Sequence, residues 1–421
     1  MKTYTTQPCH KTRNFRRRLR ILTTVMLLLT ACSSPSQNGA NTKSIKIGAI
    51  NSLTGELQSF GEPTMNSIKV AIDEINAAGG IRGKAIQLVV KDNKSELQPS
   101  LEAAQTLIDK EKVAGIIGPW SSRHTIPVAE QVTSQRSVPQ IAFAATSPAI
   151  TTLKDNDFLF RTAPSDDFQG IALAAIARSK RMDTLSILHL NDAYGQGLAN
   201  SLRSAFEARG GKIMLAVPFK PEQADFGKEL AQLAKQPVDA LVLVGFPKDG
   251  ERILKQAQAL GKFKRYILTD SLKDQAVVTA IGDKENRISF GTAPQAFEGT
   301  KTYNAFKKSY EDKFGKLPNA PYLDMAYDAT MILALAITKT GSTDGTAIRK
   351  AMREVANPPG IDVGPGEWKK AIEAIQKGED IDYVGASGPC DFDKNGDVAG
   401  TYANWKVEKG QIVTTEVMLV K

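Results

Sequence analysis

From Ser44 onward, short apolar or β-branched runs alternate with stretches in which apolar residues recur every three or four positions. The short runs fit strands covered on both faces, and the longer spacing fits helices that bury one stripe. Ile45 to Ile50, Ile86 to Val90, Val113 to Ile117 and Gln140 to Ala144 are predicted strands. Between the first two, Met65, Ile68, Ile72 and Ile75 share one helical face in a segment that "NAAGG" brings to a stop. After "FRTAPSDDFQG" the same order restarts, with strands predicted at Leu185 to Leu190, Lys212 to Val217, Ala240 to Val244 and Arg265 to Leu268. Strands that alternate with helices run parallel, so the fold class is α/β, as two doubly wound, Rossmann-like lobes. Further on, "PYLDMAYDATMILALAITKT" (Pro321 to Thr340) is the longest buried helix candidate. A helix near Thr346 to Val355 follows, and strand-like runs cover Thr401 to Val407 and Ile412 to Val420.

Composition adds size and charge to this picture. With 42% hydrophobic and 24% charged residues there is no case for general disorder, and 421 residues exceed one ordinary core. The formal charge of +9 would suggest a polyanion partner if it were spread over the surface. It is not: Lys2, Lys11, Arg13, Arg16, Arg17, Arg18 and Arg20 all precede the first acid, Glu56, and without these seven the charge is +2. A near-neutral chain implies no nucleic-acid partner. The apolar run "ILTTVMLLLTAC" (Ile21 to Cys32) is far shorter than the roughly 20 residues of a spanning helix, so residues 1–31 read as an export signal. Its end, "LTAC", resembles a bacterial lipobox, which would acylate Cys32; an ordinary signal peptide with an incidental cysteine is the alternative. Residues 32–43 suit a flexible tether, being polar and rich in Ser and Asn. With Cys32 acylated, Cys390 has no partner and the fold holds without disulfides.

Three patterns point to chemistry that the residues do not complete. "DFDKNGD" (Asp391 to Asp397) opens like a calcium loop, but Tyr402 stands where the bidentate Glu belongs, and an Asn-Gly turn explains the spacing better. "GQGLAN" (Gly195 to Asn200) opens like a dinucleotide fingerprint, but Asn200 replaces the third glycine, which leaves close helix packing. His124 and His189 lack ligand spacing, so surface or turn positions are expected and no metal site. No Ser sits in a G-x-S-x-G elbow, and no catalytic set is assembled. The chain is therefore expected not to be an enzyme and to need no cofactor.

The polar strand ends are more informative. In "GIIGPWSSRHT" (Gly115 to Thr125) an apolar run stops at Gly-Pro, and Ser121 and Ser122 follow where a helix begins. A helix N-terminus has unpaired N–H groups that attract anions, and Ser122 can cap the helix or donate to a bound carboxylate. The next strand end, "FAATSPAIT", brings Ala144, Thr146 and Ser147 to an equivalent position. Adjacent strand ends of a parallel sheet form the crevice in which such folds bind ligands, so the two together describe a carboxylate cradle. In the second lobe Asp270 ends the strand "RYILTD" and can pair with an α-ammonium, or cap the next helix. Tyr194 and Phe246 from the second lobe and Trp120 from the first are candidates for an apolar wall, or for plain packing.

The stretches "LTGELQSFGEP", "AIDEINAAGGIRGKAIQLVVKDN", "GIIGPWSS", "VPQIAFAATSPAIT", "FRTAPSDDFQG", "NDAYGQG", "ADFGKEL", "ILKQAQALG", "AYDA" and "FDKNGD", in this order, resemble the leucine/isoleucine/valine-binding family of periplasmic solute-binding proteins, which serve ABC importers. The resemblance implies a type I periplasmic-binding fold: two lobes joined by a three-strand hinge that close on a ligand. Residues 44–163 and 294–400 would form the first lobe, and 164–293 and 401–421 the second. It also implies that Ser122 holds the ligand carboxylate, that Ala144 and Thr146 contact the head group, that Tyr194 adds a second-lobe contact, and that Asp270 takes the ammonium. Asp270 departs from the Glu common in leucine binders, Phe246 stands near an expected Tyr, and Trp120 and Arg123 are bulkier than the usual residues, which implies a smaller or differently selective pocket. The function implied is a monomeric, exported, lipid-anchored receptor that delivers a neutral amino acid to an ABC permease. An amide or urea receptor, or a ligand-sensing subunit without transport, are the alternatives.

Overall fold

The computed structural model describes residues 44–282 and 287–420. The export signal, the tether and Cys32 lie outside the described residues. The first sheet is parallel, in the order Ile86–Asp92, Ile45–Asn51, Ile116–Ile117, Gln140–Ala142, Leu159–Arg161. The second repeats that winding with Lys212–Phe219, Thr184–Leu190, Ala240–Val244, Tyr266–Leu268 and Ile288–Pro294. Thr401–Glu408 and Gln411–Leu419 extend it as an antiparallel edge. The chain passes between the two sheets around residues 162–165, 295–300 and 397–400.

In both sheets the strand order reverses beside the first strand of the set, and a doubly wound sheet binds ligands at the carboxyl ends of the strands flanking such a reversal. The loops leaving those strands are 52–57 and 118–121 in the first sheet, and 191–192 and 245–246 in the second. Two strands are shorter than expected. Val113 to Ile117 is a strand only at Ile116–Ile117, joining the ladder later than expected, and Gln140 to Ala144 only through Ala142, where the chain leaves the ladder for the loop 143–147.

Leu323–Thr340 is apolar on nearly every face and is buried from Leu323 to Thr338, packed on helix Gln58–Ala77. Its fully buried carboxylate, Asp328, accepts from Tyr383 Oη (2.8 Å), Ala386 N (2.7 Å), Ser387 N (2.8 Å) and Ser387 Oγ (2.6 Å). These bonds fasten a small third sheet, Ile361–Val363, Ile381–Gly385 and Gly388–Pro389, that hydrophobic patterning does not reveal because its strands are short and partly polar. The calcium-like loop is tied up internally. Asp393 Oδ1 accepts from Asn395 N (2.7 Å) and Asp397 N (3.0 Å), and Asp397 forms a buried bidentate pair with Arg161 (2.7 and 2.9 Å).

Candidate functional site

The facing strand ends of the two sheets meet in a closed arrangement. Ser147 Oγ donates to Ala193 O (2.7 Å), and Lys248 Nζ donates to Gly55 O (3.1 Å). A Cβ on Gly197 would stand 2.7 Å from Pro148 Cδ, so this glycine of the fingerprint-like stretch permits close approach of the segment after Ala142 rather than of a nucleotide.

Asp270 lies at the centre and is 1% exposed. Its Oδ1 accepts from Tyr194 Oη (2.7 Å) and Gln169 Nε2 (3.1 Å), and its Oδ2 from Ser271 Oγ (2.9 Å) and Tyr322 Oη (2.6 Å). It is not a helix cap: the following helix, Gln275–Ile281, is capped by Asp274. Beside it, Asp166 is fully buried and receives Thr146 Oγ1 at 3.0 Å on Oδ2. Burial first, and then the negative charge of Asp270, raises the Asp166 carboxyl well above its ordinary range. Burial and the charges of Asp270 and Asp166 likewise raise the Tyr194 and Tyr322 hydroxyls, so both stay protonated donors.

Three buried polar atoms around this pair, Asp166 Oδ1, Gln169 Oε1 and Trp120 Nε1, make no hydrogen bond among the described residues. Buried polar groups are rarely left so, because each costs about 1–3 kcal/mol. The Trp120 ring stacks on Phe60 (centroids 4.9 Å, 11° between planes) and stands edge-on to Tyr322 (5.5 Å) and Phe246 (6.2 Å). Phe246 in turn stacks on Tyr194 (5.7 Å), with the Arg123 guanidinium 5.2 Å from its centroid.

The other expected residues separate into distinct environments. Ser122 begins the helix Ser122–Val128, and its Oγ accepts from Ser147 N (3.1 Å), which joins the two polar strand ends of the first sheet and leaves its hydroxyl proton free to donate. Ala144 is buried in the loop leaving its strand. Thr146 turns its hydroxyl proton to Asp166. Ser121 is paired with His124 Nδ1 (2.8 Å). His124 and His189 are both buried, contrary to the surface positions expected. Burial and the nearby Arg123 charge hold His124 down to about 3, so it stays neutral, and His189 is lowered chiefly by burial.

Asp166, Gln169, Tyr322 and Phe60 were not anticipated. Asp166 and Gln169 stand one helical turn apart in "SDDFQG", a spacing that puts both on one face, and Tyr322 follows Pro321 at a helix start. At the rim, Glu56 from the loop after Ile45–Asn51 meets Asp249 from the helix Pro247–Leu260. Arg123 Nη2 donates to Glu56 Oε2 (2.9 Å), and Glu222 N donates to Asp249 Oδ2 (3.1 Å). The remaining oxygens, Glu56 Oε1 and Asp249 Oδ1, have no hydrogen-bond donor among the described residues, with Arg252 Nη1 at 3.7 Å from Asp249 Oδ1, so the two carboxyls bond to one another only when one carries a proton.

Two wound α/β lobes with a polar site enclosed between their facing strand ends are the type I periplasmic-binding fold of solute-binding proteins. The chain belongs to the periplasmic binding protein family, whose profile matches residues 44–375. It is 26% identical over 314 residues to the leucine-, isoleucine-, valine-, threonine- and alanine-binding protein of Pseudomonas aeruginosa, which spans 73% of this chain and 82% of that one. Among solved structures, a leucine binding protein from Thermotoga maritima superposes with a TM-score of 0.77 at 26% identity, over 89% of this chain and 99% of that one. A solute binding protein from R. palustris in complex with 4-hydroxybenzoate superposes with a TM-score of 0.72 over 90% of this chain and 97% of that one; at 20% identity the likeness is one of fold. Among the described residues, no helix is long and apolar enough to cross a membrane.

Proposed function

We propose that this chain is an exported lipoprotein, anchored through Cys32, that captures a neutral amino acid between its lobes and presents the closed form to an ABC permease. The lobes divide as residues 44–163 with 294–400 and 164–293 with 401–421, and the receptor acts as a monomer and performs no chemistry.

The observation that carries this reading is the pair of buried carboxyls, Asp166 and Asp270, with no basic side chain hydrogen-bonded to either among the described residues. Arg161, whose charge reaches Asp166, spends its bidentate pair on Asp397. Ionising both in this enclosure is costly, which is what raises Asp166, and a ligand ammonium supplies the cation that offsets the cost. Asp270 already has four donors, which fills its lone-pair positions, so the ammonium meets the open acceptors Asp166 Oδ1 and Gln169 Oε1 while Asp270 contributes charge. Ser122 and the chain after Ala142 receive the carboxylate. A benzoate would add a further negative charge to this enclosure, and urea or an amide would supply no cation.

Calorimetry with an amino acid and its α-hydroxy acid, in which a hydroxyl replaces the ammonium, tests the reading. The hydroxy acid should bind about 10- to 100-fold more weakly, as expected for losing a charge-assisted contact of roughly 1.5–3 kcal/mol. Equal affinities would rule out the ammonium.

A further inference from the structure

We propose, resting on the amino-acid reading above, that Trp120 selects the ligand's side chain: it favours a short one bearing a hydroxyl, as in serine or threonine, and shuts out branched aliphatic ones. Two independent features of Trp120 lead there. The first is space. Its ring is held flat against Phe60 and edge-on to Tyr322 and Phe246, and all four are 1% exposed. Phe60, Trp120 and Tyr322 come from three separate stretches of the chain, and Tyr322 is itself bonded to Asp270. Interiors are close-packed, and an added branched group forces rings off their positions. A side chain leaving a ligand head group at Asp166 and Asp270 therefore meets a wall of fixed rings after one or two carbons.

The second feature is the indole N–H. Trp120 Nε1 is buried and has no acceptor among the described residues, whereas Trp368 Nε1 donates to Gly80 O (3.4 Å). Trp405 Nε1 also lacks a partner, but that ring lies against Gly291 in the body of the second sheet. A ligand oxygen beside Trp120 would satisfy the donor, and a methyl in its place would leave it unpaired. A site built around such a donor discriminates between isosteres far better than an apolar pocket does.

The test is calorimetry on residues 33–421 with serine, threonine, valine and leucine, using the wild type, Trp120→Phe and Trp120→Leu. In the wild type, threonine should bind at least about tenfold tighter than its isostere valine, and leucine more weakly than either. Trp120→Phe, which keeps a ring but loses the N–H, should bring threonine and valine to within about threefold, and Trp120→Leu should improve leucine binding at least about tenfold. The wild-type ranking alone decides the matter if a variant fails to fold. Valine binding as tightly as threonine, or leucine tighter than both, overturns the proposal and leaves the amino-acid reading standing. Equal weakening of every ligand in Trp120→Phe also overturns it, because the N–H would then serve the head group. Binding of none of the four would defeat the amino-acid reading and this proposal together.

Discussion

Replacing Glu56 by glutamine should abolish a pH dependence of ligand affinity that the wild type shows between about pH 5 and pH 7. In the closed form the Glu56 carboxyl is pushed from 4.5 up to about 7, by burial first, against the Arg123 guanidinium and with help from the Asp249 charge. Asp249 is raised as well, chiefly by burial, and Arg252, Glu222, Lys248, Glu62, Glu251 and Asp274 are among the other charged residues around this rim. Below pH 4.5 Glu56 holds its proton whether the lobes are open or shut. Between 4.5 and 7 only the closed form retains it, so closure loses stability as pH rises through that window and levels off above it. If opening returns Glu56 to its ordinary value, the 2.5-unit difference at about 1.36 kcal/mol per unit sets an upper bound on the order of 3 kcal/mol, or roughly 300-fold in affinity.

In the Glu56→Gln variant the side-chain amide donates to Asp249 without titrating, which holds the closed contact at every pH. The assay is titration calorimetry from pH 5 to 8 in two buffers of different ionisation enthalpy, so that proton uptake on binding is counted directly. Relative to Glu56→Gln, the wild type should take up additional protons near pH 6 and lose affinity toward pH 8. Superimposable profiles for the two proteins would refute the reasoning.

Asp270→Ala should cost more affinity than Tyr194→Phe, because the first removes a charge and strands four donors while the second removes one of those donors; about 100-fold against about tenfold is expected by calorimetry. Arg161→Met should lower stability by about 3–5 kcal/mol in denaturant unfolding, because it leaves Asp397 buried without its bidentate partner.

How far the sequence leads can be traced residue by residue. Ser122, Tyr194, Phe246 and Asp270 stand just past apolar strands, and a parallel sheet turns such positions toward one crevice, so local reading reaches them. Asp166, Tyr322 and Glu56 belong to a crossover, a helix start and a loop whose nearness depends on how the lobes close. No local periodicity encodes that, although the Asp166 and Gln169 spacing in "SDDFQG" marks a shared helix face. Both histidines were misplaced for a related reason: an isolated polar residue gives no sign that neighbours such as Ser121 will accompany it into the interior.

The most direct measurement is a melting curve of residues 33–421 with saturating neutral amino acids in one series and benzoate, 4-hydroxybenzoate, acetamide and urea in another. A ligand at 100 times its dissociation constant adds about 2.7 kcal/mol of stability, which is easily resolved as a rise in melting temperature. A rise with one or more amino acids and none with the ammonium-free compounds is the expected result. A rise with benzoates, amides or urea alone would contradict the role given to Asp166 and Asp270.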